Sequence, residues 1–400
     1  MVCAQLTQES WIGRVEWLDK MNQQLLLKAN VQNPNAGEGT FTATFEVNLL
    51  EVDGMPGNHS SKHKRTFVCK KGDSFCDDIY LYHLDFINYT NYTIEVKLSN
   101  ETDKSAPNVV TALSNMYFVL EYNDDVYTLF ELWFRFTFLI LTFIVIIVFS
   151  HKLRQYRWTD WQVEQKWTAF ILFGLMAANN PFFALELIFE GWFPTFLDQV
   201  LLVTFVSMLF LFWLVMFDGV RKDAVQRTLL KFYVPKVVLI ALFWLTALVA
   251  FTLSELRRLD DPVYDVTTDD PAFIFFVVGE IIVAVIYLFW LTYVIVRACM
   301  ESRTFPLLGV RIRFFALFTL SVIVVMVAGI TFETFGPTTA IKGNPMTLLS
   351  YLSLYNFYVY VLAFMYLPSR FAAKSAVRDE IGMVRFEDEA DSPGPEEVDH

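Results

Sequence analysis

Histidine is scarce in this chain and lies in the wrong places for metal chemistry. The five residues are His59, His63, His83, His151 and His400, none of them inside an apolar run. A seven-helix zinc hydrolase needs imidazole or comparable ligands within its bundle, so that class is excluded. Paired intramembrane aspartates are missing too, since Asp218 stands alone; an aspartyl protease is excluded with them. The chain has no G-x-S-x-G elbow and no phosphate-binding loop. No domain face is basic and no zinc-finger spacing occurs, so nucleic acid is not a partner. The chain reads as a non-enzyme with no cofactor and no metal. Residues 1–22 contain no apolar h-region, and the chain is read as N-terminally incomplete.

Long apolar runs, by contrast, are abundant. Apolar residues make up 55% of the chain and aromatics 17%, with 40 Phe and 10 Trp, above a soluble norm. Seven runs cover residues 129–150, 167–189, 200–220, 237–254, 272–296, 314–335 and 346–367. A hydrocarbon core about 30 Å thick needs roughly 20 apolar residues of helix. Backbone in lipid must satisfy its own hydrogen bonds, so these runs are read as seven membrane-crossing helices.

Charge gives the orientation. The loops after the first, third and fifth runs carry Lys152, Arg154, Arg157 and Lys166, then Arg221, Lys222, Arg227, Lys231 and Lys236, then Arg297, Arg303, Arg311 and Arg313. The alternate loops carry only Arg257, Arg258 and Lys342. Basic residues stay cytosolic, so the N-terminal region is expected on the lumenal or extracellular side and the C-terminal tail in the cytosol.

The N-terminal region agrees with that side. Four glycosylation sequons begin at Asn58, Asn88, Asn91 and Asn100, and the rest of the chain has none. Each alone is a weak motif. Cys69 and Cys76 lie in the same segment, and an oxidising lumen favours a disulfide between them over two free thiols. Cys3 is left over and Cys299 falls on the cytosolic side. Residues 25–31, 40–50, 66–69, 92–98 and 116–122 read as strands, with period-two alternation clearest at 40–47. Turn clusters sit at Asn33-Pro34-Asn35-Ala36-Gly37 and Gly54-Met55-Pro56-Gly57. The one helical pattern in this region is 9–22. The fold class is therefore an N-terminal lumenal β-sandwich over residues 1–125, then a seven-helix transmembrane bundle over 126–368, then a disordered acidic cytosolic tail over 369–400.

Several blocks carry a family resemblance: Glu131-Leu-Trp-Phe-Arg135-Phe, Trp161-Gln-Val-Glu164-Gln165-Lys166-Trp167, Asn180-Pro181-Phe182-Phe183, and Asn356-Phe-Tyr-Val-Tyr360 followed by Leu362-Ala-Phe364-Met-Tyr366 and Pro368-Ser369. Together they resemble the transmembrane protein 181 family, which groups with Wntless among GOLD-domain seven-transmembrane proteins. The likeness runs from about Cys69 to Ser369. Family members carry a further hydrophobic segment ahead of the lumenal domain, which is absent here, and the C-terminal tail does not match closely. The resemblance implies a GOLD-like sandwich on a seven-helix bundle, residence in the secretory pathway or plasma membrane, and escort of a secreted or lipid-bearing cargo.

Ionisable and polar groups inside the runs are the candidate sites, because they are expensive in lipid. Glu131 and Arg135 share one helix face at i, i+4; they form an interfacial ion pair or the charged mouth of a cavity. Asn179 and Asn180 precede Pro181, which should kink the second helix. The Asn side chains then either satisfy the freed backbone or line a pocket, with Glu186 two turns nearer the lumen. Glu280 stands nine residues inside the fifth run, and its partner is expected to be Asn180, a Tyr or water. Asp218 and Glu333 are expected to face water near the helix ends. Asn356 and the ladder Tyr351, Tyr355, Tyr358 and Tyr360 belong to interhelical packing. Trp158, Trp161, Trp167 and Trp192 read as interfacial belts.

A rhodopsin-type receptor lacks support, because Asp218-Gly-Val-Arg221 does not form that family's Arg triplet and Phe357 follows Asn356 where a Pro is required. The reading is a non-enzymatic multi-pass membrane protein of the Golgi, endosome or plasma membrane, a cargo receptor of the secretory pathway. Its partners are membrane lipids and a lumenal protein or lipid-modified cargo, held partly among the second, fifth and seventh helices. The alternatives are a seven-helix cell-surface receptor for a ligand or toxin, and an ion channel or transporter lined by Glu280.

Overall fold

Alternation of inward and outward side chains builds the first domain. In the computed structural model, which describes residues 2–5, 10–22, 24–33, 38–84, 87, 89–98, 116–188, 193–221, 229–261, 271–301, 306–335 and 345–367, eight strands form two antiparallel sheets. The turn at 34–37, the sequons at Asn88 and Asn100, Trp192 and the tail 369–400 lie outside the described residues, as do the side chains of Asn58, Glu186 and Glu333. The strands are β1 Val2–Gln5, β2 Ser10–Val15, β3 Leu25–Val31, β4 Gly39–Val52, β5 Met55–Cys69, β6 Ile79–Leu84, β7 Tyr92–Leu98 and β8 Met116–Tyr122. One sheet runs β1-β8-β3-β6 and the other β2-β7-β4-β5.

Their inner faces make a closed core that includes Leu25, Leu27, Phe45, Val47, Phe67, Ile94 and Phe118. The strands expected at 25–31, 92–98 and 116–122 form at those residues. The helical pattern at 9–22 does not become an α-helix: β2 takes Ser10–Val15, with Trp11, Gly13 and Val15 inward and Ile12 and Arg14 outward, and only a 3-10 turn forms at Lys20–Asn22. Period two wins because Trp11 lays its ring over Gly13, where a Cβ would meet the indole at 2.1 Å. From there the ring stacks on Phe118 of the other sheet with centroids 5.0 Å apart.

The β4–β5 turn falls one step earlier than expected. Asp53 and Gly54 both have positive φ, 49° and 79°, the Asp-Gly pattern of a tight type I′ hairpin. Met55 and Pro56 already belong to β5, whose position at the sheet edge tolerates a proline. The Asp53 carboxylate accepts from Thr90 N and Oγ1 and from Asn91 N at 3.1, 2.7 and 2.8 Å. The Thr90 hydroxyl first among these bonds holds that carboxyl below its ordinary pKa.

Cys69 and Cys76 are joined as a disulfide across a separation of seven residues, closing the β5–β6 connection. Loop-closure entropy for so short a ring gives about 2–3 kcal/mol. Cys69→Ser with Cys76→Ser is therefore expected to lower the sandwich's unfolding free energy by about that much, read by denaturant-dependent protease susceptibility of the head in the full chain.

Among the described residues, seven α-helices follow: α1 Asp125–Leu153, α2 Val163–Ala178, α3 Phe193–Arg221, α4 Val234–Asp260, α5 Pro271–Glu301, α6 Pro306–Phe335 and α7 Pro345–Met365. Six are long and apolar enough to cross a membrane, and α6 carries an apolar stretch over Ile312–Ala328. The second apolar run is not one kinked helix. It stops at Ala178, Asn180 takes a left-handed φ of 46°, and a 3-10 turn over Phe183–Leu187 follows Pro181. Proline disfavours helical backbone at the residue before it, and Asn tolerates the left-handed region better than most, so the chain breaks there.

α3 is the central helix. Phe212 through Phe217 are buried all the way round, as expected of a helix enclosed by others. It packs on α2, α4 and α5, while α7 packs on α1 and α2.

Candidate functional site

Polar side chains tie this bundle together in separate clusters, and their partners decide which of them are free to meet a ligand. At the sandwich end, Arg135 is buried and donates three ways: Nε to Glu131 Oε1 at 2.9 Å, Nη1 to Asp198 Oδ1 at 2.9 Å and Nη2 to Asp198 Oδ2 at 3.2 Å. Asn180 Nδ2 donates to Asp198 Oδ1 at 2.9 Å, and its own Oδ1 accepts from Phe182 N at 3.0 Å. The Phe183 ring lies 4.3 Å under the guanidinium. One cluster thus pins α1, the break after α2 and the start of α3. Two carboxylates share one cation, and the forked guanidinium matches the Asp198 carboxylate in a bidentate pair. Pro181 itself is exposed. Asp198 was not legible as part of this site, because it precedes the apolar run that begins at residue 200.

A second network lies deeper. Asn179 caps α2 and donates to Thr142 Oγ1 and Asn356 Oδ1, both at 2.9 Å; Asn356 donates back to Asn179 Oδ1 at 2.8 Å. Tyr360 donates to Asn356 Oδ1 at 3.0 Å. α1, α2 and α7 are joined there. A third joins α3, α6 and α7: Trp213 Nε1 donates to Tyr358 Oη at 2.7 Å, and Tyr358 bonds Thr319 at 2.8 Å. At the far end, Lys236 donates to Asp218 Oδ2 and to Phe232 O, each at 2.7 Å. Asp218 is therefore not a water-facing residue. It is buried with its partner where the π turn Leu229–Tyr233 enters α4.

With this arrangement established, the chain can be compared with known proteins. Residues 124–370 match the family model "Wntless-like, transmembrane domain" and residues 13–120 match "TMEM181, GOLD domain". The chain belongs to the transmembrane protein 181 family. It is 32% identical over 391 residues to human transmembrane protein 181, covering 94% of this chain and 80% of the human protein. The sandwich is the family's GOLD domain, and the helices are its Wntless-like membrane domain.

The GOLD domain rests on the helices at two places. Near the α1 tether, Thr128 Oγ1 donates to Met21 O at 2.6 Å, and Asn22 and Gln24 bond Asn123 at 2.7 and 3.0 Å. On the other side, Asp261, the residue that ends α4, accepts from Ser61 Oγ at 2.6 Å and meets His63 Nε2 at 2.7 Å. His63 and Asp261 are 198 positions apart, and neither carries a sequence signal for the other.

Glu280 differs from every residue above. It makes no hydrogen bond or ion pair with any described residue, and it does not meet Asn180. Its neighbour Gly279 faces Thr246 of α4, whose Cγ2 would lie 3.9 Å from an added Cβ. Further along the same face, Tyr287, Leu291, Val294 and Ala298 are buried, whereas no side chain from 271 to 286 is. Tyr287 stacks on Phe210 with centroids 4.7 Å apart and donates to Phe210 O. α5 is thus fully packed in one half and only partly covered, by α4 at Gly279, in the half nearer the sandwich where the carboxylate stands. Among the described residues, no three of His, Cys, Asp and Glu converge as a metal site.

Proposed function

We propose that this chain is a non-enzymatic receptor of the secretory pathway. It takes a lipid-bearing partner against the sandwich-side half of α5 and presents it to the GOLD domain on the lumenal side. One observation carries the reading: Glu280 is a carboxylate with no partner among the described residues, on an apolar helix that has no fully buried side chain in its sandwich-side half. Asn180 and Asn356 are taken up by bonds to Asp198 and to Asn179, so they line no space together with Glu280. An intramembrane acid left over in this way is a functional group by default. The chemistry fits an amphiphile with an acyl chain along Phe276, Val277 and Val283, half-buried residues one turn from Glu280 on its own face, and a hydroxyl, amide or amine that donates to the carboxylate. Membership of a Wntless-like family supports a trafficking role. The basic loops at the other end support a cytosolic placement there, and a sugar on Asn58 or Asn100 would fix the side of the head.

The test is purification of the full chain from cells in mild detergent, followed by lipid and protein mass spectrometry. The native chain is expected to retain an acylated species or a lipid-modified protein. Glu280→Leu should lower its recovery about tenfold, the worth of one charge-assisted hydrogen bond of about 1.5 kcal/mol. Native protein that carries no such species sinks the proposal.

A further inference from the structure

The end of the sandwich that carries α1 bears three exposed apolar tips. Trp17 is 90% exposed, Met55 55% and Tyr89 43%. They sit on three different connections: β2–β3, the β4–β5 hairpin tip and β6–β7. These connections are not independent. Asp53 holds Thr90 and Asn91, Leu18 N donates to Thr90 O at 2.9 Å, and Trp17 N donates to Asn91 Oδ1 at 3.4 Å. Trp17 also takes a positive φ of 66°, a conformation that is uncommon for a bulky residue and persists only where its surroundings fix it. Three apolar tips are thus held in one rigid unit, and each points away from the core.

Their height over the bilayer follows from α1. Its far end carries His151 and Lys152. A hydrocarbon layer takes about 20 helical residues, so counting back from Lys152 sets the sandwich-side boundary at about Trp133, itself exposed. Thr128 then stands about 7 Å above that boundary at 1.5 Å per residue, at the outer edge of a headgroup layer about 5–7 Å deep. Thr128 is the residue whose hydroxyl holds Met21 O, four positions from Trp17. The loop bearing the bare indole is therefore bound at headgroup level.

We infer that this three-loop tip docks on the headgroup layer of the sandwich-side leaflet, with Trp17 and Met55 entering the interface. A cavity of about 430 Å³ beside Trp17, lined also by Arg14, Glu16 and Asn91, receives a phospholipid headgroup. The Arg14 guanidinium, which spends Nε on Glu16 at 3.0 Å, offers its remaining donors to the phosphate. Tryptophan favours this layer because one end of its ring system is apolar and the other donates a hydrogen bond. A continuous contact with the bilayer already occupied by α1 needs no further translational entropy, so even a small apolar area suffices to hold the tip down.

The experiment uses the full chain with Cys3→Ser and Cys299→Ser in phosphatidylcholine nanodiscs that contain a headgroup-nitroxide lipid. A small fluorophore is placed by Trp17→Cys, by Met55→Cys in a second protein, and by Thr42→Cys as the reference remote from the tip. Quenching at 17 and 55 is expected to exceed that at 42 by about threefold. Equal quenching at the three positions overturns the inference. So does protection of positions 17 and 55 by a second protein chain, or a sugar on Asn91 of cell-derived protein that fills the cavity. The Met55 protein keeps the test decisive if Trp17→Cys fails to fold.

Discussion

Arg135→Met is expected to destabilise the bundle by about 3–5 kcal/mol, because it strands two buried carboxylates without their cation. The guanidinium satisfies Glu131 and Asp198 through three separate donors, and the side chains of all three residues are at most 9% exposed. A partner removed from such a cluster leaves desolvated charge behind, and that costs more than the pair contributed. Thermal unfolding in detergent, followed on the full chain, checks the size of the loss. Two companions separate charge from packing. Arg135→Lys keeps the charge but loses the fork and should recover only part of the stability. Arg135→Met combined with Glu131→Gln and Asp198→Asn should recover most of it. A single replacement that costs less than about 1 kcal/mol would place the cluster in water, where ion pairs contribute little.

Lys236→Met is the second large effect, at about 3–5 kcal/mol by the same reasoning. Here the geometry differs, because Lys236 meets a single carboxylate among the bonds described above, that of Asp218. Lys236 is 1% exposed on its side chain, and its ammonium lies 3.5 Å over the Phe232 ring. Removing both charges, as Lys236→Met with Asp218→Leu, should therefore return the bundle close to its original stability. The Arg135 cluster cannot be neutralised by any two-residue replacement that includes Arg135, since its second acid would remain. Melting curves of the single and double variants, with the interaction energy taken from the cycle, check that contrast.

How far the sequence revealed this molecule depends on the kind of signal. Bilayer thickness dictates helix length, so the seven apolar runs mark the seven helices, although α2 stops eleven residues before its run does because of Asn180-Pro181. Alternation marks β4 at residues 40–47, whereas β3 and β8 read as apolar-rich runs whose alternate burial appears only in the fold. Alternation fails at the polar half of β5, an edge strand whose outward residues Lys62 and Lys64 carry no apolar rhythm with their neighbours. β2 was masked by a helical spacing of apolar residues that tertiary packing of Trp11 overrides. Glu131 and Arg135 were legible as a pair from their i, i+4 spacing, but Asp198 lies 63 positions from Arg135. Asp218 looked like a helix-end residue until folding placed Lys236 beside it. Partners that distant in sequence are chosen by the fold and leave no local mark.

The contact of Ser61 and His63 with Asp261 has a mechanical consequence. A body hung from one flexible stem swivels, whereas one gripped also at a distant second point does not. The GOLD domain hangs from α1 and is gripped by Asp261, the C-cap of α4. Any change in the tilt of α4 against α1 must consequently wrench the domain as a crank turns a wheel, and a motion begun inside the bilayer becomes visible on the outside of the protein.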